Sequence, residues 1–449
     1  MNYDVALVNM PFASREYPSL ALGLFKAQLE ANGVHSKVHN LNVLFSQYVD
    51  RQIYDKLAGG FPVTFDLAGE WIFSSTLWDD NSESDHKYIN SVLRGISPHH
   101  NTKNRKSVDE SFVNSILEIK NRADSFLSDC LSSIDWKQYR VIGFTSVFQQ
   151  HIASLAFAKR LKKAYPHLYI IFGGANCEGT MGKATLNAFD FVDAVCIGEG
   201  DLAFPELIKQ KLSGGGEIAI PGILQREIVK FGSTQLELKS PSTQVSMDDL
   251  PFPNFDEFFY DSNHDEAHGS RRILFETSRG CWWGEKSHCV FCGLNGATIK
   301  FRQKNPKRAL NELNYLLKRY GKQTRRVSAV DNIIPHNYFN TFLPMLKSLK
   351  IELDLFYETK ANLRKDQVEL YRSVGLKEIQ PGIESLSTPI LKLMRKGVSG
   401  IQNIQMLKFC RQFGVYAHWN YLVGFPGEKP EDYQNQETLC RQLSTSLRP

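Results

Sequence analysis

The chain alternates short apolar runs with longer amphipathic stretches, in two blocks separated by a Gly- and Pro-punctuated middle. In the first block, residues 4–10 form an apolar run, 20–32 carry helical periodicity and 36–40 are again strand-like. A strand–helix–strand opening predicts a parallel sheet, because the crossover helix returns the chain to the same edge. From about 46 to 135 the alternation breaks into aromatic and polar clusters, including a polar stretch over 79–105, and predicts a largely helical insertion with loops. Alternation resumes with a strand at 141–146, a helix from about 152 to 164, a strand at 169–172 ending in Gly173-Gly174, and a short strand at 194–197 ending in Gly198-Glu199-Gly200-Asp201 before a helix from Ala203. The middle holds Gly214-Gly215-Gly216, a β-ribbon pattern over 220–239 and the crossing Leu250-Pro251-Phe252-Pro253. In the second block strands at 273–277, 326–331, 353–359, 378–383 and 415–423 alternate with helices at about 306–320, 338–349, 365–374, 399–413 and 430–443. These five β/α units predict a parallel barrel, or part of one, whose function sits at the carboxyl ends of its strands. The fold class is therefore α/β, with a first domain over 1–212, a linker with β-ribbon over 213–270 and a barrel-type domain over 271–449.

Length and composition narrow the function classes. A chain of 449 residues holds two or three domains, and 42% hydrophobic with 22% charged residues describes an ordinary globular protein. A net charge of +5 is small for this length and argues for no nucleic-acid partner. The N-terminus reads as a first strand rather than a signal peptide, and no apolar run approaches the length of a membrane span, so the expectation is a cytoplasmic protein with no membrane partner. Eight cysteines in such a chain point to metal ligands and buried thiols rather than disulfides. Cys130, Cys177, Cys196, Cys410 and Cys440 are scattered and read as small core or loop residues.

The other three cysteines change the picture. Cys281, Cys289 and Cys292 share one loop after the apolar run at 273–275, with seven and then two residues between them. Three neighbouring thiolates repel one another and favour a soft metal. Two metal readings compete. Zinc normally takes four ligands, often as two separated pairs; no second pair exists, and His288 abuts Cys289 too closely for good chelation. A [4Fe–4S] cluster held by three cysteines leaves one iron open to a substrate. In the first block, strand ends carry Asn9, Ser146, Gln149, Gly173, Gly174, Asn176, Gly198 and Gly200, where ligands of open parallel sheets bind and where glycine lets backbone approach a large ligand.

With these motifs in place, the order of the first block resembles the cobalamin-binding domain of B12-dependent radical S-adenosylmethionine (SAM) enzymes, with Gly173-Gly174-Ala175-Asn176 and Gly198-Glu199-Gly200-Asp201 as its best matches. The mutase motif Asp-x-His-x-x-Gly is absent, so the resemblance implies a lower cobalt face without a histidine ligand, near Ser146, Val147 and Gln149; His151 is read as a helix-start residue. The second block resembles the radical SAM superfamily, which usually spaces its cysteines three and then two apart. The wider spacing here, with Gly280-Cys281-Trp282-Trp283-Gly284 and Cys289-Val290-Phe291-Cys292-Gly293, resembles the peptide-maturation radical SAM C-methyltransferases. Further matches are Val330-Asp331-Asn332, Tyr357-Glu358-Thr359-Lys360, Gly382-Ile383-Glu384-Ser385 and Gly424-Phe425-Pro426-Gly427.

The resemblance implies an enzyme. Cys281, Cys289 and Cys292 would hold a [4Fe–4S] cluster; Phe291, Asp331, Asn332, Glu358, Lys360, Glu384, Ser385 and Gly424 would surround SAM; and Asn9, Ser146, Val147, Gln149, Gly173, Gly174, Asn176, Gly198, Glu199 and Gly200 would surround cobalamin. Within that set Lys360 is expected to pair with the SAM carboxylate and Glu384 with ribose hydroxyls, or the two with each other across the mouth. Trp282 and Trp283 either wall the site or pack against the neighbouring domain. The implied reaction is methylation of an unactivated carbon in a ribosomally made (RiPP) precursor peptide: a 5′-deoxyadenosyl radical abstracts hydrogen and methylcobalamin supplies the methyl group. A reductant such as flavodoxin or ferredoxin is the implied partner besides the peptide. The alternatives are another cobalamin radical SAM reaction, or a non-catalytic cobalamin- or peptide-binding protein, since the superfamily's barrel commonly has six units and the sequence stops after five. No catalytic side chain is singled out.

Overall fold

The computed structural model describes residues 3–59, 66–78, 82–94, 110–214, 218–226, 245–261, 270–293 and 299–446. The 227–239 part of the expected ribbon, Gly215, Gly216 and much of the polar stretch at 79–105 lie outside those residues.

The first apolar run folds as β1 (Val5–Asn9), buried at every position. Its alternate side chains serve two cores: Val5 and Leu7 pack with Leu22 and Phe204, whereas Ala6 and Val8 pack with Phe45, Phe144 and Phe157. Burial on both faces is why this strand is apolar throughout. Around it lie β2 (Ser36–Asn40), β3 (Val141–Thr145), β4 (Tyr169–Gly173), β5 (Ala194–Cys196) and β6 (Ile223–Gln225), in the order β2-β1-β3-β4-β5-β6. The first five are parallel and β6 runs antiparallel to β5. The register lines up Asn9, Thr145 and Gly173 at the carboxyl edge.

Helix α1 (Leu20–Ala31), capped by the Ser19 side chain, lies on the Val5 face. The break in alternation after β2 is helical, as expected, but begins at Leu41: α2 (Leu41–Tyr48), α3 (Arg51–Gly59), α4 (Ala68–Leu77), α5 (Ser82–Tyr88) and α6 (Glu110–Ser133). In α6, Val113, Ile116, Ile119, Ala123, Phe126, Leu127 and Cys130 recur every three or four residues and form its buried stripe. Helices α7 (His151–Ala164), α8 (Gly179–Ala188) and α9 (Ala203–Ser213) follow β3, β4 and β5.

The chain divides into two compact units, and the division is interleaved: Met1–Val245 with Leu250–Ala267, and Ser246–Asp249 with His268–Pro449. Much of the stretch read as linker thus packs with the first unit. Glu257 accepts a hydrogen bond from the buried Lys26 ammonium, Asn254 Nδ2 donates to Glu30 Oε2 at 3.0 Å, and the Phe255 ring fills the space beside Gly23, where a Cβ would sit 2.4 Å from the ring. Asp248 belongs to the other unit, accepting from Asn305 N at 2.7 Å.

In the second unit, β7 (Ile273–Phe275), β10 (Arg326–Ala329), β11 (Asp354–Thr359), β12 (Leu376–Pro381) and β13 (Tyr416–Ala417) form a five-stranded parallel sheet in chain order. A short antiparallel pair, β8 (Ser278–Arg279) and β9 (Arg302–Gln303), flanks the cysteine loop. The helices are α10 (Trp282–Lys286), α11 (Pro306–Tyr320), α12 (Phe342–Ser348), α13 (Lys365–Ser373), α14 (Thr388–Leu393), α15 (Gly400–Phe413) and α16 (Gln436–Ser446). Two expectations are corrected. The strand expected over 415–423 joins the sheet only at Tyr416–Ala417, where the pairing with β12 stops at Ile379; a single bridge from Glu384, at φ +56°, to Tyr421 resumes it. Helix α14 was not expected; its six residues are too few for periodicity to declare. Among the described residues, no helix is long and apolar enough to cross a membrane.

Candidate active site

The cysteine loop is pinned at both of its roots. Asp331, just after β10, is 1% exposed; its Oδ1 accepts from Thr277 N at 2.7 Å and its Oδ2 from Thr277 Oγ1 and Ser278 Oγ, each at 2.5 Å. Burial raises its pKa to about 6 against those three donors. Gly280, at φ +78°, passes so close to the returning chain that a Cβ would lie 2.3 Å from the Lys300 carbonyl. Cys281 then caps α10, its Sγ accepting from Gly284 N at 3.4 Å. Beyond α10, Val290 N donates to the Met394 carbonyl, Cys289 Sγ lies 3.9 Å from the Arg395 carbonyl, and Cys292 N donates to the Cys289 carbonyl.

All three thiols are half-buried. Burial pushes the Cys289 thiol up, the Lys396 and Lys360 ammonium groups pull it down, and Cys281 and Cys292 push it up again. Cys289 therefore senses both neighbouring cysteines and two nearby cations. Among the described residues, no three His, Cys, Asp or Glu side chains converge to hold a single metal ion. Three cysteine thiols on one loop are the donor set of a cluster that leaves one iron open.

Charged side chains crowd the strand ends beside these thiols. Lys360 Nζ donates to the Lys396 carbonyl at 2.6 Å and lies 3.5 Å from the centre of the Trp283 ring. Burial and the Lys396 charge lower its pKa to about 8. Lys396 Nζ is 3.4 Å from Glu384 Oε1 and 5.5 Å from the centre of the exposed Phe291 ring. Burial raises Glu358 to about 7, with Asp331 and Glu384 adding to the rise and Lys396 opposing it. Asn332 is half-buried, whereas Ser385 is fully buried, its Oγ accepting from Ser387 N. Gly424, at φ +81°, is exposed and donates its N–H to Glu428. The unit thus brings together the cysteines, Phe291, Glu358, Lys360 and Glu384, while Asp331 and Ser385 are turned into hydrogen bonds of the fold. Lys396 was missed by the sequence reading: Arg395-Lys396-Gly397 after a helix looks like an ordinary helix stop.

In the first unit, the strand-end residues separate into two kinds. Asn9, Ser146, Gln149 and Gly200 are buried. Asn9 Oδ1 accepts from Gln150 Nε2, and Gln149 faces the insertion, accepting from Gly69 N at 2.7 Å and donating to the Leu57 carbonyl at 2.7 Å. Ser146 Oγ lies 3.0 Å from His151 Nδ1 and accepts from Asn176 Nδ2, which also donates to the Phe148 carbonyl. Val147, Gly173, Gly174, Asn176, Gly198 and Glu199 retain exposure, with Gly198 N donating to Glu178. Between them Phe148, at φ +47°, is 77% exposed, and Met181 in α8 and Leu202 just before α9 are exposed. A carboxyl edge carrying glycine turns and outward apolar side chains fits a large flat ligand with an apolar face.

Residues 275–435 match the family model described as the Radical SAM superfamily. An uncharacterized methyltransferase of Pyrococcus horikoshii is 26% identical over 343 residues, covering 76% of this chain and 71% of the relative. Among solved structures, the cobalamin-dependent S-adenosylmethionine radical enzyme OxsB, with aqua-cobalamin and S-adenosylmethionine bound, superposes with a TM-score of 0.61 at 15% identity, over 94% of this chain and 49% of that one. The radical S-adenosylmethionine methyltransferase TsrM from Kitasatospora setae, with cobalamin and a [4Fe–4S] cluster bound, gives a TM-score of 0.59 at 14% identity, over 99% of this chain and 71% of that one. The chain spans about half the length of OxsB, and at these identities the structural likeness is one of fold.

Proposed function

We propose, from the premise that residues 275–435 are a radical SAM domain, that the protein is a cobalamin-dependent radical SAM C-methyltransferase acting on an unactivated carbon of a ribosomally made precursor peptide. One observation carries this reading: three half-buried thiols on one loop, with Lys360 and Lys396 beside them and Glu358 and Glu384 at the adjoining strand ends. When bound, the cluster and SAM supply hydrogen-atom abstraction and methylcobalamin supplies the methyl group. The chain's own residues bind and orient. Cys281, Cys289 and Cys292 hold three corners of the cluster. Lys360 binds the SAM carboxylate, Glu384 binds the ribose hydroxyls while Lys396 fixes its orientation, and Phe291 and the backbone at Gly424 flank adenine. Asn332, after β10, meets the SAM amino group, and the neighbouring Asp331 carboxylate is engaged by Thr277 and Ser278. In the first unit Val147, Gly173, Gly174, Asn176, Gly198 and Glu199 form the cobalamin-facing edge, with Ser146, Gln149, Asn9 and Gly200 shaping it from behind. A flavodoxin- or ferredoxin-type reductant supplies the electron.

Metal and cofactor analysis after anaerobic reconstitution tests this directly. The expected result is about four irons, matching sulfide and one cobalamin per chain; one zinc with no cobalt would sink the reading. Incubation with SAM, reductant, cobalamin and precursor peptides should give methylated peptide with both 5′-deoxyadenosine and S-adenosylhomocysteine. 5′-Deoxyadenosine without S-adenosylhomocysteine would point to a different cobalamin radical reaction.

A further inference from the structure

The seven residues between Cys281 and Cys289 need an anchor, because a loop of that length does not by itself hold two thiols in register. Two neighbouring indoles supply it, each reaching a different part of the unit. Trp282 Nε1 donates to the Ile334 carbonyl at 3.1 Å, beyond β10, and Trp283 Nε1 donates to the Arg395 carbonyl at 3.3 Å, beyond α14. The second contact is the more elaborate. Gly397, at φ +65°, leaves room for the Trp283 ring; a Cβ there would come within 2.2 Å of its Cζ2 and Cη2 atoms. Lys360 Nζ stands over the same ring, 3.5 Å from its centre, while donating to the Lys396 carbonyl. One side chain thus touches the cysteine loop by its backbone, the 394–397 turn by its N–H and edge, and Lys360 by its face.

We infer that Trp283 is a positioning residue of the site: docked in the space left by Gly397, it locks the long cysteine loop to the Arg395–Gly397 turn and holds the Lys360 ammonium beside the thiols. The inference rests on the reading of the loop as a cluster site and of Lys360 as a SAM ligand. An ammonium held over an indole and hydrogen-bonded to the Lys396 carbonyl has few alternative positions, so its direction is set before SAM arrives. Trp283→Phe keeps a ring under Lys360 and loses the hydrogen bond to Arg395; Trp283→Leu loses both. Gly397→Ala displaces the indole from its edge without substituting Trp283 or Lys360.

The test has two readouts. In the metal-free protein, hydrogen–deuterium exchange over 282–292 should rise in Trp283→Leu and Gly397→Ala. In reconstituted protein at wild-type iron content, KM for SAM should rise about tenfold in both variants, with kcat changed much less, and Trp283→Phe should recover a large part of the loss. Unchanged SAM affinity in Trp283→Leu with the cluster intact would overturn the inference and reduce Trp283 to packing. Loss of iron in Trp283→Leu and Trp283→Phe alike would overturn the assignment of Trp283 to Lys360, leaving the indole a support of the cysteine loop alone. Absence of iron in the wild type would instead overturn the parent reading, and this inference with it.

Discussion

At the scale of single residues, buried carboxylates set the behaviour of the protein with pH. Asp331 offers its two oxygens to three donors at the root of the cysteine loop. Replacing it with alanine strands all three, and Asp331→Ala should lower unfolding free energy by about 3 kcal/mol in a denaturant titration of the metal-free protein. Glu70 is a second case. It reaches from α4 to accept the His151 and Ile152 N–H groups at the start of α7, yet burial raises its pKa to about 7. Its folded pKa stands above the unfolded value, so the folded state binds more protons between the two. The stability Glu70 contributes is therefore full below about pH 4.5 and lost as the pH climbs through 7. Denaturation midpoints measured from pH 4.5 to 7.5 should fall with rising pH, and Glu70→Gln should flatten that slope.

At the scale of elements, the turn after β3 shows what a strand end costs. Gln149 and Glu70 tie this turn to the amino end of α4, and Gly174 packs against it: a Cβ on Gly174 would lie 2.5 Å from the Ser146 carbonyl, with φ at +101°. Gly174→Ala should destabilise the first unit by about 2–4 kcal/mol, read as a lowered melting temperature of the cobalamin-free protein. Gln149→Ala leaves Gly69 N without its partner and should cost about 1–3 kcal/mol. These elements also show how far the sequence could be read. Strand ends, glycine turns and helix faces were legible because burial on both faces makes β1 apolar and burial on one face stripes α6. The direction of Gln149 was not, because its partner Gly69 lies 80 residues away in an insertion whose helices carry no mark of where they dock. The shortness of β13 was not either: the run at 415–423 reads as a strand, yet its ladder with β12 stops at Ala417 and resumes only as a single bridge at Tyr421. Within the site, the cysteines announced themselves by spacing, whereas Lys396 and Trp283 matter through contacts made across the unit.

At the scale of the whole molecule, the two compact units share the chain unevenly. The crossing segment gives Ser246–Asp249 to the second unit and then returns Leu250–Ala267 to the first, where Glu257 meets Lys26. Both side chains of that pair are about nine-tenths buried. Glu257→Gln leaves the buried Lys26 ammonium with Glu30, 3.5 Å away, as its remaining carboxylate, and in the intact chain it should cost about 1.5–3 kcal/mol; the companion change Lys26→Met should restore much of the loss, as measured by thermal unfolding. The same route has a consequence for synthesis. A ribosome delivers β1 to β6 and their helices well before Phe255 and Glu257, and in that interval the groove beside Gly23 has nothing to fill it. Completion of the first unit is thus timed by a segment translated only after the chain has already laid down the first four residues of the second.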